Sequence, residues 1–177
     1  DQVALLKLGL VLGKNPELKP WRKFVSKIKN PKRSIKIGLI GKYVELHDAY
    51  KSIAESFVHA GAFNGVRVEL QFIHSESINE QSMNEILGGL QGILVAPGFG
   101  SRGLEGKIFA AKYARENNIP YLGICLGMQC SVIEFARNVL NLKDADSTEV
   151  NDRTPYPVID LMEEQKGLTE KGGTMRL

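Results

Sequence analysis

The architecture of this chain follows from one run of residues, Ile119-Pro120-Tyr121-Leu122-Gly123-Ile124-Cys125-Leu126-Gly127-Met128-Gln129. Its first six residues are mostly apolar and predict a buried strand, and the periodicity from Met128 to Val139 predicts a helix close behind. Gly123 and Gly127 stand two residues before and two residues after Cys125. This spacing is typical of a nucleophile elbow, in which a strand turns sharply into a helix and exposes the nucleophile at the turn.

The elbow pattern predicts that Cys125 is a nucleophile. Glycines are needed beside the cysteine because the turn is tight and side chains would clash there. The start of the following helix offers free N–H groups and the positive end of the helix dipole, which favour a thiolate and can hold an oxyanion. The alternative is a buried structural cysteine at the end of a strand, and the two flanking glycines argue against it.

Alternating strand and helix patterns precede the elbow. We expect strands over Ile35–Ile40, Val66–Ile73, Gly92–Ala96 and Ile119–Ile124. We expect helices from a cap at Asp48 to Gly61, over Gln81–Leu87 and over Glu105–Glu116. This succession predicts an α/β fold with an open, mostly parallel sheet and helices on both faces. Ligands bind such sheets at the carboxyl ends of the strands, so Cys125 and the loop Pro97–Gly106 are expected to converge.

Composition places the chain among ordinary globular proteins. It has 177 residues, 43% of them apolar and 7% aromatic, which is enough for one domain with an appendage. No apolar run approaches the length of a membrane span, so we expect no membrane partner. Cys125 and Cys130 are five residues apart and would point in different directions on a helix, so they are not expected to pair. Unpaired cysteines favour a reducing, cytoplasmic location.

The N-terminal segment differs in charge from the rest. Residues 1–34 carry a net charge of +7, and residues 35–177 carry −4. We expect helices over Val3–Leu12 and around Trp21–Ile28, separated by the breaker Gly13–Pro16. A basic arm can indicate nucleic-acid binding, but its aromatic residues fit the apolar stripe of the second helix better than a base-stacking surface. We therefore expect no nucleic-acid partner.

The loop after the third expected strand reads Pro97-Gly98-Phe99-Gly100-Ser101-Arg102-Gly103. Its three glycines formally match a dinucleotide fingerprint, but Pro97 interrupts the strand-to-loop junction and no acidic residue ends a second strand about 20 residues later. We therefore expect no dinucleotide cofactor. A tetrahedral intermediate at the cysteine needs two N–H donors, and Gly98 and Leu126 are the natural pair.

A cysteine nucleophile also needs a base. The chain has three histidines, His47, His59 and His74. His74 and Glu76 have a His-x-Glu spacing and follow the second expected strand, so they can lie at the carboxyl edge of the sheet. His59 falls near the end of an expected helix, and His47 precedes a helix cap. The residues alone leave the identity of the base open, with His74 as one candidate.

The residues around Cys125 resemble the nucleophile motif of the class I, or triad, glutamine amidotransferases. Four further segments are similar, in order, to the CTP-forming branch of that family. They are Gly41–Tyr50, Pro97–Lys107, Asp146–Glu149 and Gly172–Leu177. The resemblance implies a three-layer, flavodoxin-like amidotransferase domain over residues 35–177. It also implies that residues 1–34 are the end of a synthetase domain and an interdomain linker.

The resemblance further implies a reaction and its residues. Cys125 would hydrolyse glutamine through a thioester, and the ammonia would pass to a synthetase domain where ATP and Mg²⁺ activate UTP for amination to CTP, with GTP as activator. The residues expected to contact glutamine are Gly98, Leu126, Gly127, Met128 and Gln129. Glu149 would bind the α-amino group, because a carboxylate facing an ammonium makes a strong hydrogen bond. The resemblance implies no cofactor or metal on these residues and a homo-oligomer for the whole enzyme.

Two parts of the family pattern are not found in this sequence. In the family, a catalytic His-x-Glu and an arginine that holds the glutamine carboxylate both lie well downstream of the cysteine. We therefore expect a sheet truncated at its C-terminal side, a catalytic His and Glu beyond Leu177, and little activity from the fragment alone. His74 and Glu76 match no catalytic position. The alternatives are an amidotransferase of another biosynthetic pathway, a peptidase-like cysteine hydrolase, which tends to carry His where Leu126 stands, and a non-catalytic amidotransferase-like binding module.

Overall fold

A parallel four-stranded sheet forms the centre of the protein. The computed structural model describes residues 2–11 and 17–162, except for the side chain of His47. The strands are β1 (Arg33–Gly41), β2 (Val66–His74), β3 (Gly92–Val95) and β4 (Tyr121–Gly123). Their order across the sheet is β2-β1-β3-β4, and every neighbouring pair is parallel. The mostly parallel sheet is confirmed, and its four carboxyl ends meet at one edge.

Helices cover both faces of this sheet. Two helices, α1 (Gln2–Lys7) and α2 (Lys19–Lys29), precede the sheet in the chain, and the helices of the sheet's two sides are α3 (Lys51–Asn64), α4 (Met83–Leu87), α5 (Leu104–Glu116) and α6 (Leu126–Asn138). Successive side chains of a strand point to opposite faces. Leu39 and Leu94 therefore pack against apolar residues of α3, while Ile40 and Ile93 pack against those of α4 and α5. α6 lies beside α5 and shares a buried cluster with it. Because α3 covers one face and α4 and α5 cover the other, the predicted three-layer arrangement is confirmed.

The expected boundaries of α3 are wrong at both ends. Asp48 lies in a 3₁₀ turn, His47–Tyr50, and α3 begins after that turn without a side-chain cap bond. The helix runs through Gly61 to Asn64, and Gly65 ends it at φ +67°. Gly61 is required by packing, since a Cβ there would lie 2.7 Å from a carbonyl oxygen of β2. Gly61 was predicted to end the helix, but it is a glycine because the helix packs closely against β2 at this position.

The N-terminal helix α2 packs on α3. The rings of Phe24 and His59 lie 5.2 Å apart, and Lys27 Nζ donates a hydrogen bond to the carbonyl oxygen of Phe63 at 3.2 Å. The predicted helix around Trp21–Ile28 matches α2. His59 is exposed and serves this contact. A domain boundary between residues 34 and 35 stays a prediction.

Other expectations meet shorter elements or fall outside the description. The helix predicted over Val3–Leu12 ends at Lys7 in the structure. The segments Gly13–Pro16 and Gly172–Leu177 lie outside the described residues. Within the described ranges, no helix combines the length and the apolar character that crossing a membrane requires.

A second, two-stranded sheet was not predicted. Its parallel strands are β5 (Ala145–Ser147) and β6 (Tyr156–Ile159), and both pack against α6. Arg137 of α6 holds β5, donating to the Ala145 carbonyl oxygen at 2.6 Å and pairing with the Asp146 carboxylate at 3.1 Å. Glu149 lies in the turn that follows β5, and this packing brings it to the loop after β3.

Candidate active site

The turn at Cys125 is a strained elbow. β4 ends at Gly123 and α6 begins at Leu126, so only two residues join strand and helix. Cys125 has φ +53° and ψ −111°, a backbone conformation that residues other than glycine rarely adopt and that surrounding contacts must hold. Hydrogen bonds close the turn, from Gly127 N–H to the Ile124 carbonyl oxygen at 2.9 Å and from Met128 N–H to the Cys125 carbonyl oxygen at 3.0 Å.

The two flanking glycines let strand and helix approach each other. A Cβ on Gly123 would lie 2.4 Å from the carbonyl carbon of Gly127 and 2.5 Å from the amide nitrogen of Met128. A Cβ on Gly127 would lie 2.3 Å from the carbonyl oxygen of Val95. These atoms are backbone and cannot move aside, so the glycine spacing is a packing requirement. Tyr121 completes the contact by donating its hydroxyl to the Gly127 carbonyl oxygen at 2.6 Å.

The two cysteines lie in opposite environments. Cys125 is exposed at the edge of the sheet, whereas Cys130 is fully buried between α5 and α6. Burial raises the pKa of Cys130 to about 12, so that thiol stays protonated at neutral pH. Of the two cysteines, only Cys125 is placed to react.

Two backbone N–H groups in the turns that follow β3 and β4 have no acceptor among the described residues. They belong to Leu126, the first residue of α6, and to Gly98, in the loop after β3. β3 and β4 are neighbours, which brings these two turns together, and a Cβ on Gly98 would lie 3.7 Å from the Leu126 side chain. Free N–H groups of this kind can stabilise negative charge that develops on a substrate oxygen.

Two neighbouring segments hold the loop that carries Gly98. Lys42, just after β1, donates its Nζ to the carbonyl oxygen of Phe99. Glu149, after β5, accepts the Gly100 N–H on Oε1 at 3.0 Å. Arg102 lies over the ring of Tyr43, 5.4 Å from its centroid. The loop is therefore anchored on both sides of the peptide that joins Phe99 to Gly100.

A buried lysine supports the same loop from inside the domain. Lys107 of α5 has no exposed surface, and its Nζ donates to the carbonyl oxygen of Ala96 at 2.9 Å. Desolvation lowers the pKa of Lys107 to about 8, so the ammonium is largely retained at neutral pH. A Cβ on Gly98 would lie 3.4 Å from this Nζ, so Lys107 occupies the space behind the glycine.

The remaining expected site residues lie on the same edge of the sheet. Met128 is half exposed on α6, Gln129 is partly buried one residue on, and Gly127 is buried in the elbow. Glu149 is exposed and faces the loop after β3 through its bond to Gly100. Lys42 and Tyr50 belong to the segment Gly41–Tyr50, for which the sequence predicted no function. The structure shows that both residues support the loop. Their signal in the sequence is only that segment's similarity to the family.

The described histidines do not meet Cys125. His74 ends β2, and β1 and β3 stand between β2 and β4, which is a separation of about 14 Å across the sheet. Its ring accepts the Glu76 N–H on Nδ1 at 3.2 Å and lies 4.0 Å from the Glu45 carboxylate. This placement keeps His74 apart from Cys125, and the expectation that His74 and Glu76 are not the catalytic pair stays a prediction. In the described part of the chain there is also no cluster of three or more His, Cys, Asp or Glu side chains suited to a metal ion.

Tyr50 ties the segment of Lys42 to the domain, and its hydroxyl provides a test of this part of the site. The oxygen accepts the N–H groups of Lys42 at 3.1 Å and Tyr43 at 3.3 Å, and the side chain is buried. We expect Tyr50→Phe to destabilise the protein by about 1–3 kcal/mol, because two amide donors lose their acceptor. Tyr156→Phe, at an exposed tyrosine, should change stability by less than about 0.5 kcal/mol. Denaturant midpoints of both variants check this, and equal midpoints would contradict it.

Comparison with known proteins agrees with this geometry. The sequence model of the family described as Glutamine amidotransferase class-I matches residues 45–177. The chain is 60% identical to CTP synthase of Flavobacterium johnsoniae and 62% identical to that of Flavobacterium psychrophilum, over 177 residues in each case. Each alignment includes 100% of this chain and 33% of the relative, so the chain spans about a third of the length of the curated relatives it matches.

A solved structure extends the comparison to the fold. The glutaminase domain of Trypanosoma brucei CTPS, with bound acivicin, aligns with a TM-score of 0.70 and 38% identity, covering 74% of this chain and 51% of that one. The family match spans the elbow, the two free N–H donors and the loop after β3. This chain therefore belongs to the class I glutamine amidotransferase family.

Proposed function

We propose that this chain is the glutamine-hydrolysing part of a CTP synthase and that Cys125 is its nucleophile. The observation that carries the proposal is the exposed Cys125 in a strained elbow, with the free N–H groups of Gly98 and Leu126 in the turns that follow the neighbouring strands β3 and β4. The identity of about 60% to CTP synthases over the whole chain supports UTP as the acceptor of the ammonia, rather than the acceptor of another biosynthetic pathway. Leu126 directly after the cysteine also argues against a peptidase-like hydrolase.

The chemistry proceeds in two steps at one carbon. The Cys125 thiolate attacks the side-chain carboxamide carbon of glutamine, and the carbonyl oxygen becomes an oxyanion that Gly98 N–H and Leu126 N–H stabilise. The C–N bond then breaks, the amide nitrogen takes a proton and leaves as ammonia, and a thioester remains. Water attacks the thioester, giving glutamate and free Cys125. The positive end of the dipole of α6 favours both the thiolate and the oxyanion.

Different residues of the site bind the α-ammonium and the side chain of glutamine. We assign the α-ammonium to Glu149, whose carboxylate already faces the loop after β3. The side chain of glutamine then lies along the start of α6, against Leu126, Gly127, Met128 and Gln129. The general base, a His oriented by a Glu, is assigned to the part of the relatives that this chain does not span.

The proposal extends to the whole enzyme. Ammonia released at Cys125 passes to a synthetase domain, where ATP and Mg²⁺ activate UTP for amination to CTP, and GTP stimulates the first step. Residues 1–34 would be the end of that domain and the linker, and residues 35–177 part of the glutaminase domain. The full-length enzyme would be a cytoplasmic homo-oligomer. No residue of this chain is assigned to ATP, Mg²⁺ or another cofactor.

Covalent labelling tests the nucleophile in the full-length protein. A chloroketone analogue of glutamine should label the peptide that contains Cys125, because its ketone occupies the oxyanion donors and its carbon meets the thiolate. Saturating glutamine should slow the labelling at least about tenfold by competition. Mass spectrometry of the digested protein measures both rates.

Cys130, five residues after Cys125, is an internal control for the labelling of Cys125. Its buried thiol, with a pKa of about 12, should stay unlabelled while the protein is folded. Equal labelling of Cys125 and Cys130, or labelling of Cys125 that glutamine does not slow, would contradict the proposed function.

A further inference from the structure

One peptide group of the loop after β3 is held at both ends by opposite charges. Lys42 Nζ donates to the carbonyl oxygen of Phe99, and the N–H of Gly100 donates to Glu149 Oε1 at 3.0 Å. This carbonyl and this N–H belong to the single planar peptide that joins Phe99 to Gly100. An ammonium at its oxygen and a carboxylate at its nitrogen align with the peptide dipole and oppose rotation of the plane.

We propose that Lys42 is a positioning residue for glutamine hydrolysis, which holds this peptide, and with it the Gly98 N–H, in the orientation that the oxyanion requires. The inference rests on the proposed function, since it takes Gly98 as an oxyanion donor. Gly98 is one residue before the clamped peptide, and Gly100 has φ +71°, so rotation of the plane would redirect the backbone of the whole loop. A misplacement of about 1 Å at an oxyanion donor is enough to lower a rate by about 100-fold.

Lys42 is suited to this role because its backbone is anchored beside the sheet, outside the loop that its side chain holds. It directly follows β1, is 7% exposed, and its N–H donates to the buried hydroxyl of Tyr50 at 3.1 Å. Groups that interact electrostatically with its ammonium include Arg102, Glu149, Glu76, Cys130 and Lys107. Burial, and then Arg102, lower the pKa of Lys42, while Glu149, Glu76 and Cys130 raise it. The ammonium therefore bonds to the loop and is also favoured electrostatically by carboxylates from two other segments.

Glu149 links this clamp to the substrate. Its Oε1 accepts the Gly100 N–H, and a carboxylate has about four acceptor sites, so the same group can also receive the α-ammonium of glutamine. Substrate and loop would then share one carboxylate. Lys42 thus sets the position of the oxyanion donor relative to the residue that holds the other end of glutamine.

The test compares two reactions of Cys125 in the full-length protein. Hydrolysis of glutamine passes through an oxyanion, whereas alkylation by iodoacetamide displaces iodide at a saturated carbon and forms none. For Lys42→Met we expect kcat for hydrolysis to fall about 10- to 100-fold, with KM within about threefold. Alkylation of Cys125 should stay within about twofold of wild type, because the thiol is untouched. Lys36→Met, at an exposed lysine of β1, is the matched control and should leave both reactions unchanged.

The variants separate a positioning role from a general loss of structure. Lys42→Arg keeps a cation and should recover part of kcat, and if Lys42→Met does not fold, Lys42→Gln is measured in its place. An unchanged kcat, or a parallel fall in hydrolysis and alkylation, would overturn the inference. So would Lys42→Arg with a kcat as low as that of the uncharged variant. Wild-type protein that fails to hydrolyse glutamine would instead refute the proposed function.

Discussion

Replacing Cys125 by alanine is expected to abolish ammonia release from glutamine in the full-length protein, lowering the rate by about 10⁴- to 10⁶-fold. The reason is that no thioester can form, and the N–H groups of Gly98 and Leu126 then have no intermediate to stabilise. The elbow itself should survive, because alanine keeps the Cβ and removes only the exposed sulfur. Ammonia is measured continuously with a coupled assay, at saturating glutamine.

Two controls define the outcome. Cys130→Ala removes the other sulfur from a buried cluster and should keep hydrolysis within about threefold of wild type, at some loss of stability. If ammonia passes to a synthetase domain, CTP formation by Cys125→Ala should be restored by added ammonium salt, which bypasses the cysteine. Full ammonia release from glutamine by Cys125→Ala would refute the assignment of the nucleophile.

The elbow could be predicted from the sequence because every part of it is local. Gly123, Cys125 and Gly127 lie within five residues, and each glycine is required by contacts that the turn itself creates. The parallel sheet could also be predicted from the sequence, since its strands are apolar runs separated by segments of helical periodicity. At the elbow, local pattern and final structure agree because the interactions that decide the turn are close in sequence, whereas the expected boundaries of α3 were wrong.

The parts that escaped prediction depend on contacts between distant residues. Lys42 and Phe99 are 57 residues apart, and Gly100 and Glu149 are 49 apart, so no periodicity links them. β5 is only three residues long and contains Asp146, whose burial is explained by its ion pair with Arg137. A short strand with a buried carboxylate has no sequence signal of its own.

Gly123→Ala is expected to destabilise the domain by at least about 3–5 kcal/mol. The added Cβ would meet backbone atoms at 2.4, 2.5 and 2.6 Å, all in the first turn of α6. That turn is fixed by hydrogen bonds to Ile124 and Cys125, so the overlap can be relieved only by separating helix from strand. Reactivity of Cys125 should be lost with the elbow, because both the strained conformation and the Leu126 donor depend on it.

Gly92→Ala shows how the same substitution behaves without backbone overlap. Gly92 is buried in β3, in the same sheet, but its added Cβ would meet the Ile37 side chain at 3.5 Å, an ordinary contact. We expect a change below about 1 kcal/mol there. Calorimetric unfolding of the full-length variants and chloroketone labelling of Cys125 measure both effects. If Gly123→Ala matched Gly92→Ala in stability and in labelling, the glycine could not be what lets strand and helix close around the cysteine. Cys125 would then react for a reason other than its elbow.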